Sequence, residues 1–188
     1  MGGKTDRGND AHLIETKVSS EAVFDGKLLH VRRDTVRLPD GTHATREHIV
    51  HPGAVLIVPV LPDGRLVVER QYRYPLDRVF IEFPAGKLDP GEEELATAQR
   101  ELTEETGYVA STWTPLGTIH TLISYTNEKI DLYVAEGLAH VGARLDDGEV
   151  LEVITLGVDE MLAALDRGES TDAKTVAALL LYVRWLRR

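Results

Sequence analysis

Residues 86–108 read GKLDPGEEELATAQRELTEETGY, a turn-rich opening followed by one helical pattern. The pattern predicts a helix from about Glu93 to Thr106. Acids fill its first turn, where the helix dipole favours them, and Gly107 suits the C-terminal cap. At about 100° per residue, with Glu101 as origin, Glu105 lies at about +40° and Glu104 at about −60°. Leu95, Ala98 and Leu102 fall beside them, at about +60° to +120°, and are expected to dock the helix on the core. The three carboxylates therefore stand at the edge of the buried face, where a cleft would lie.

As pure structure this is a poor choice. Like charges at i,i+3 and i,i+4 cost about 0.2–0.5 kcal/mol per pair. Acids near a helix C-terminus oppose the macrodipole by about 0.3–1 kcal/mol each. Arg100, four residues before Glu104, offsets part of this. A solvated acidic face with one intrahelical ion pair would use the same residues, but local stability argues against it and favours a function. Hard oxygen ligands at this density suit Mg²⁺ or Mn²⁺, which would relieve the repulsion. In the preceding loop, Gly86 and Gly91 allow tight turns. A carbonyl at Ala85 or Gly86 would add a neutral ligand, although PAGKLDPG taken alone is an ordinary turn.

Outward from this stretch, the first half of the chain reads as strands. Leu28–Leu38 and Thr42–His51 alternate around the turn Pro39-Asp40-Gly41. Residues 54–61, AVLIVPVL, form an unbroken apolar run, as expected of a strand buried on both faces. Pro62-Asp63-Gly64 turns the chain into Arg65–Arg70, and Val79–Phe83 leads into Pro84-Ala85-Gly86. After the helix come strands around Trp113–Leu122, Lys129–Ala135 and Val150–Leu156, then a short helix over Asp159–Asp166. A last helix spans Asp172–Leu186, capped by Thr171 or Asp172, with Val176, Leu179, Leu180 and Val183 as its apolar stripe. The fold class is α/β in the α+β sense, with a largely antiparallel or mixed sheet. Regular βαβ alternation is missing, so a Rossmann fold is not expected.

Composition narrows the function classes. The 188 residues suffice for one domain with a real core, and 43% are hydrophobic. A net charge of −10 argues against general nucleic-acid binding but permits a small anionic substrate bridged by cations. There is no cysteine, which excludes thiolate catalysis and disulfides and fits a reducing cytoplasm. No apolar run approaches the roughly 20 residues of a membrane helix. The opening MGGKTDRGND lacks the apolar centre of a signal peptide, and residues 1–11 are expected to form a flexible tail.

The central stretch resembles the Nudix box, G-x5-E-x7-R-E-U-x-E-E-x-G-U, where U is bulky and aliphatic. Gly86, Glu92, Arg100-Glu101-Leu102, Glu104-Glu105 and Gly107 match at the right spacing; Tyr108 replaces the last aliphatic residue but is large enough to pack. Glu82-Phe83-Pro84-Ala85-Gly86, Ser124-Tyr125-Thr126-Asn127-Glu128 and Thr171-Asp172-Ala173-Lys174-Thr175 resemble segments of the branch that cleaves ADP-ribose and related nucleoside diphosphate sugars.

This resemblance implies a Nudix α/β/α sandwich over 53–188. It also implies an N-terminal antiparallel strand extension over 12–52, commonly dimer-forming. By position, Glu101, Glu104, Glu105 and the Ala85 carbonyl would ligate Mg²⁺, with Mn²⁺ able to substitute. Arg100 would orient the glutamates and Glu92 would brace the loop. Glu128 is the candidate general base, with Glu101 or Glu105 as alternatives. Arg73 is a candidate diphosphate clamp, as is Arg46, and Glu82 a substrate or metal contact. His48, His51 and His120 are expected to be packed or surface residues. The implied activity is diphosphate cleavage of a nucleoside diphosphate sugar by a cytoplasmic homodimer. Nucleoside triphosphate or dinucleoside polyphosphate hydrolysis is an alternative. A Nudix-fold ligand sensor without catalysis is another, although such a module should show a degraded box or an attached DNA-binding domain.

Overall fold

The computed structural model describes residues 10–145, 148 and 150–188, and contacts divide the chain into two units. One holds the chain up to His51 together with Leu122–Glu128; the other holds Pro52–Thr121 and Lys129–Arg188. Of the tail expected over 1–11, all but Asp10 and Ala11 lies outside the described residues.

The first unit is a three-stranded antiparallel sheet, β1 (Thr16–Asp25), β2 (His30–Arg37) and β3 (His43–Val50), in that order. The last two strands follow the alternation in sequence. Between them Gly41 adopts a positive φ of 87°, and Asp40 Oδ1 accepts from the Thr42 amide at 2.9 Å and hydroxyl at 2.7 Å. β1 was not expected from the pattern. All ten of its residues are exposed, so no buried face imposed an alternation on TKVSSEAVFD.

The segment Leu122–Glu128 joins this unit by main-chain mimicry. The Asn127 side-chain oxygen accepts from His51 N at 2.8 Å and its amide donates to His51 O at 3.1 Å. Ile49 N donates to Tyr125 O at 2.8 Å.

The second unit contains β4 (Ala54–Pro59), β5 (Leu66–Arg73), β6 (Arg78–Glu82), β7 (Ala85–Lys87), α1 (Glu94–Thr106), β8 (Tyr108–Ile119), β9 (Ile130–His140), β10 (Leu151–Leu156), α2 (Val158–Asp166) and α3 (Ala173–Trp185). One sheet runs β10-β5-β6 and the other β7-β4-β9-β8. β4 lies parallel to β9 and the remaining pairs are antiparallel, so the four-stranded sheet is mixed and the three-stranded one antiparallel.

All six residues of β4 are buried. Leu56 and Val58 enter one core with Leu132, Met161 and Leu179; Val55 and Ile57 enter a second with Ala98 and Leu102. The strand alternation thus sends one face toward α2 and α3 and the other toward α1, which gives this unit α/β/α layers. Each such side chain contributes about 1.5–3 kcal/mol on burial. Among the described residues no helix is long and apolar enough to cross a membrane.

Three local expectations change and a fourth, the cap of the last helix, is narrowed to one of its two candidates. PAGKLDPG is more than a turn, because Ala85–Lys87 pairs antiparallel with Ala54–Leu56 as β7. Leu95 is 40% exposed, and the buried face of α1 is Thr97, Ala98, Leu102, Glu105 and Thr106. Leu180 is also exposed; α3 buries Thr175, Ala178, Leu179 and Tyr182 instead, one step round the helix. Asp172, rather than Thr171, caps α3 by accepting from Thr175 N at 3.1 Å.

Candidate active site

Helix α1 ends on Gly107, left-handed at φ 73°, and the next residue begins β8. Tyr108 packs beside the second core and meets the His140 ring edge-on at 5.0 Å, so it serves as the bulky residue that position needs.

Arg100 organises the helix face. Its Nε and Nη2 donate to the two oxygens of Glu92, each at 3.0 Å. Its Nη1 donates to Glu101 at 2.8 Å and to Glu104 at 2.9 Å, and Nη2 also reaches the Lys87 carbonyl at 3.3 Å. One guanidinium therefore offsets the repulsion among three glutamates, more than the single i,i+4 pair read from sequence. These bonds from Arg100 hold the Glu92 carboxyl down at about 2 and push Arg100 further above its ordinary value. Glu92 in turn accepts from the Asp89 amide at 3.3 Å, which fastens the loop.

Glu105 is 6% exposed, and its Oε2 accepts from the Ala85 amide at 3.1 Å. Gly86 lies against Glu101. A Cβ built there would stand 1.9 Å from the Glu101 carboxyl carbon. Gly86 is glycine because of this close approach, not because of a turn: its φ is not positive, whereas Gly91 has φ +81°. The β7 backbone and α1 thus converge on two carboxylates.

Among the described residues no three acidic or histidine side chains are grouped as a ready metal-ligand set, since Arg100 draws Glu101 and Glu104 to itself. The donor chemistry nonetheless fits a hard cation. Every side-chain donor here is a carboxylate oxygen, and the glycine leaves the Glu101 carboxylate the room a Cβ would fill.

A second group lies in the same unit. Arg73 grips Glu82 with Nε and Nη2, both at 2.7 Å, and Lys174 donates to Glu82 from the far end of the sequence. Glu82 is 3% exposed. Burial pushes its carboxyl up, but the bonds from Arg73 and Lys174 outweigh that and leave it below the ordinary range. The bond to Glu82 raises Arg73, burial opposes it, and the charges of Asp172 and Glu105 add to the rise.

Two candidate residues belong to the other unit. Glu128 has its carboxylate 3.5 Å from His51 Nε2. His51 is thus a neighbour of the candidate base, which no histidine spacing could reveal. Arg46 is exposed and grips Glu15, with Nε donating at 2.9 Å.

With this geometry in place, comparison is direct. The chain belongs to the Nudix family, whose NUDIX domain matches residues 50–179. Residues 15–49 match the nucleoside diphosphate sugar hydrolase N-terminal domain. The chain is 37% identical to an ADP-ribose pyrophosphatase of Bacillus subtilis, over 89% of this chain and 91% of that one. It is 39% identical to a methanol dehydrogenase activator of Bacillus methanolicus, over 89% and 92%. A crystal structure of an ADP compounds hydrolase superposes with a TM-score of 0.84 at 29% identity, covering 93% of this chain and 96% of that one.

Proposed function

We propose that the protein hydrolyses the diphosphate of ADP-ribose or a related nucleoside diphosphate sugar, releasing a nucleoside monophosphate and a sugar phosphate. The observation that carries this is the intact box, folded so that Arg100 gathers Glu92, Glu101 and Glu104 while the β7 backbone holds Glu105. The match over residues 15–49 supports a nucleoside diphosphate sugar over a triphosphate, and the intact carboxylates speak against a sensor without catalysis.

Hydrolases of this family generally use a divalent metal ion. Here Glu101, Glu104, Glu105 and the Ala85 carbonyl would hold Mg²⁺ or Mn²⁺. When bound, the ion supplies positive charge against the diphosphate oxygens. Arg73, whose Nε and Nη2 hold Glu82, meets the diphosphate with its remaining N–H groups, and Arg46 is a further contact. Glu128 accepts the proton of the attacking water as the new P–O bond forms. The anhydride P–O bond breaks, and the departing phosphate keeps its electron pair.

The reading includes a homodimer in a reducing cytoplasm. The first unit leaves Val18, Val23, Phe24, Leu28 and Leu29 exposed, an apolar surface that a second copy would cover. Sedimentation equilibrium that returns the mass of one chain would refute the dimer. For the activity, incubation with ADP-ribose and with GDP-mannose, each with Mg²⁺, is followed by phosphatase-coupled phosphate detection and product identification. Turnover to two monophosphates is expected. Pyrophosphate release from triphosphates alone, or no turnover of any diphosphate sugar, would refute the assignment.

A further inference from the structure

Arg73, Glu82, Lys174 and Asp172 form a row of alternating charge. Lys174 Nζ is divided between Glu82 and Asp172, bonding the latter at 2.8 Å. The Asp172 Oδ2 atom also accepts from the Thr175 amide at 3.1 Å and hydroxyl at 2.7 Å. The row is most buried in its middle: the side chains of Arg73, Glu82, Lys174 and Asp172 are 43%, 3%, 17% and 24% exposed.

A carboxylate as buried as Glu82 stays ionised only where cations and hydrogen bonds replace its lost water. Two cations serve it, and they differ in character. The Arg73 side chain is the more exposed of the two, whereas the Lys174 ammonium is shared between two carboxylates.

The surrounding bonds tie this row to the site. The Ser170 hydroxyl donates to Ile81 O at 2.8 Å, and Phe83 N donates to the Thr175 hydroxyl at 3.3 Å. Residues 81, 82 and 83 are therefore each fastened by the segment that starts α3. Two residues further on, the Ala85 amide donates to Glu105.

We propose that Lys174 is a positioning residue: anchored by Asp172, it fixes the ionised Glu82 carboxylate, and Glu82 in turn sets the orientation of the Arg73 guanidinium. This rests on the reading of Arg73 as the diphosphate clamp. Without Lys174 the buried carboxylate shifts, and the guanidinium loses the edge it presents to the diphosphate.

The test is a double-mutant cycle read as KM and kcat for ADP-ribose with Mg²⁺. Lys174→Met is expected to raise KM about tenfold with kcat within about twofold of wild type, as for loss of a group supporting a binding residue. In an Arg73→Ala background the same change is expected to add nothing. Lys174→Arg, which keeps the charge and donors, is expected to hold KM within about threefold of wild type. If Lys174→Met does not fold, Asp172→Asn replaces it in the cycle, because asparagine retains the helix cap while losing the charge. An equal KM increase with and without Arg73, or a fall in kcat alone, overturns the proposal. Turnover by the wild-type enzyme tests the function separately. A wild type that cleaves no diphosphate sugar refutes that reading, whereas an additive cycle in an active enzyme refutes only the role of Lys174.

Discussion

Replacing Gly86 with alanine should separate catalysis from stability. The added Cβ would lie 1.9 Å from the Glu101 carboxyl carbon and from one of its oxygens. Ordinary contact needs about 3.4 Å, so the carboxylate must retreat by about 1.5 Å. It can do so, because the three atoms nearest the new group all belong to the end of one flexible side chain. The backbone at Gly86 is not left-handed, so alanine brings no strain there and restricts the unfolded chain, a gain of about 0.4–1 kcal/mol. The retreat loosens the Arg100 bond to Glu101, a partly exposed pair worth about 0–1 kcal/mol. Net stability should therefore change by less than about 1 kcal/mol, or about 4 °C in Tm for a chain of this size. Activity should not survive as well. A displacement of about 1 Å in a catalytic group can cost about 10²-fold, so kcat/KM for ADP-ribose should fall at least that far, and raised Mg²⁺ should restore only part of it. Steady-state kinetics across a Mg²⁺ titration, paired with a thermal melt, decide the matter. Wild-type kcat/KM in Gly86→Ala would refute the reasoning, as would an activity loss that merely follows the loss of folded protein.

Glu105→Gln keeps the acceptor for the Ala85 amide and removes the charge, so kcat/KM should fall by about 10² or more while the melt moves little; a wild-type rate would remove Glu105 from the machinery. Arg100→Lys cannot reproduce a fork on Glu92 together with bonds to Glu101 and Glu104. Calorimetric Mg²⁺ affinity should weaken about tenfold, and unchanged affinity would show that Arg100 does not orient the glutamates. Glu82 and Asp172 both have folded pKa values below their ordinary ones: burial raises each, but Arg73 and Lys174 outweigh it for Glu82, and Lys174 and Thr175 for Asp172. Depressed folded values mean stability that is full at neutral pH and lost as pH falls from about 5 through those values. Urea unfolding should therefore show a smaller loss between pH 5 and pH 3, both approximate bounds, in a Glu82→Gln/Asp172→Asn variant than in wild type, and parallel curves would contradict it.

The box was legible because its parts are local. Gly86 to Gly107 is the end of β7, one loop and one helix, so helical spacing pairs Arg100 with Glu104, and the resemblance implied its hold on the other glutamates. The run at Ala54–Leu61 was equally plain, since burial on both faces leaves an unbroken apolar signature. What escaped reading depends on distant partners or on the absence of a buried face. β1 is wholly exposed and carries no alternation. β7 is three residues whose strand character comes from pairing with β4, not from their own propensities. Leu95 and Leu180 are apolar at helical spacing yet face outward, while the polar Thr97 and Thr175 are buried. Lys174 meets Glu82 across 92 positions, and Asn127 meets His51 across 76. No periodicity encodes such pairs.

The double-faced burial of β4 has a bearing on how the protein opens. With Leu56 and Val58 in one core and Val55 and Ile57 in the other, neither core can melt while this strand stays native on both sides. Helices α1 and α3 are thereby joined in one cooperative unit of the second part of the chain, and hydrogen exchange of the β4 amides should report its full unfolding free energy rather than a local fluctuation. The carboxylate-bearing helix would then have no partly open state of its own, and residual activity on heating would be a direct gauge of how much of that unit remains folded.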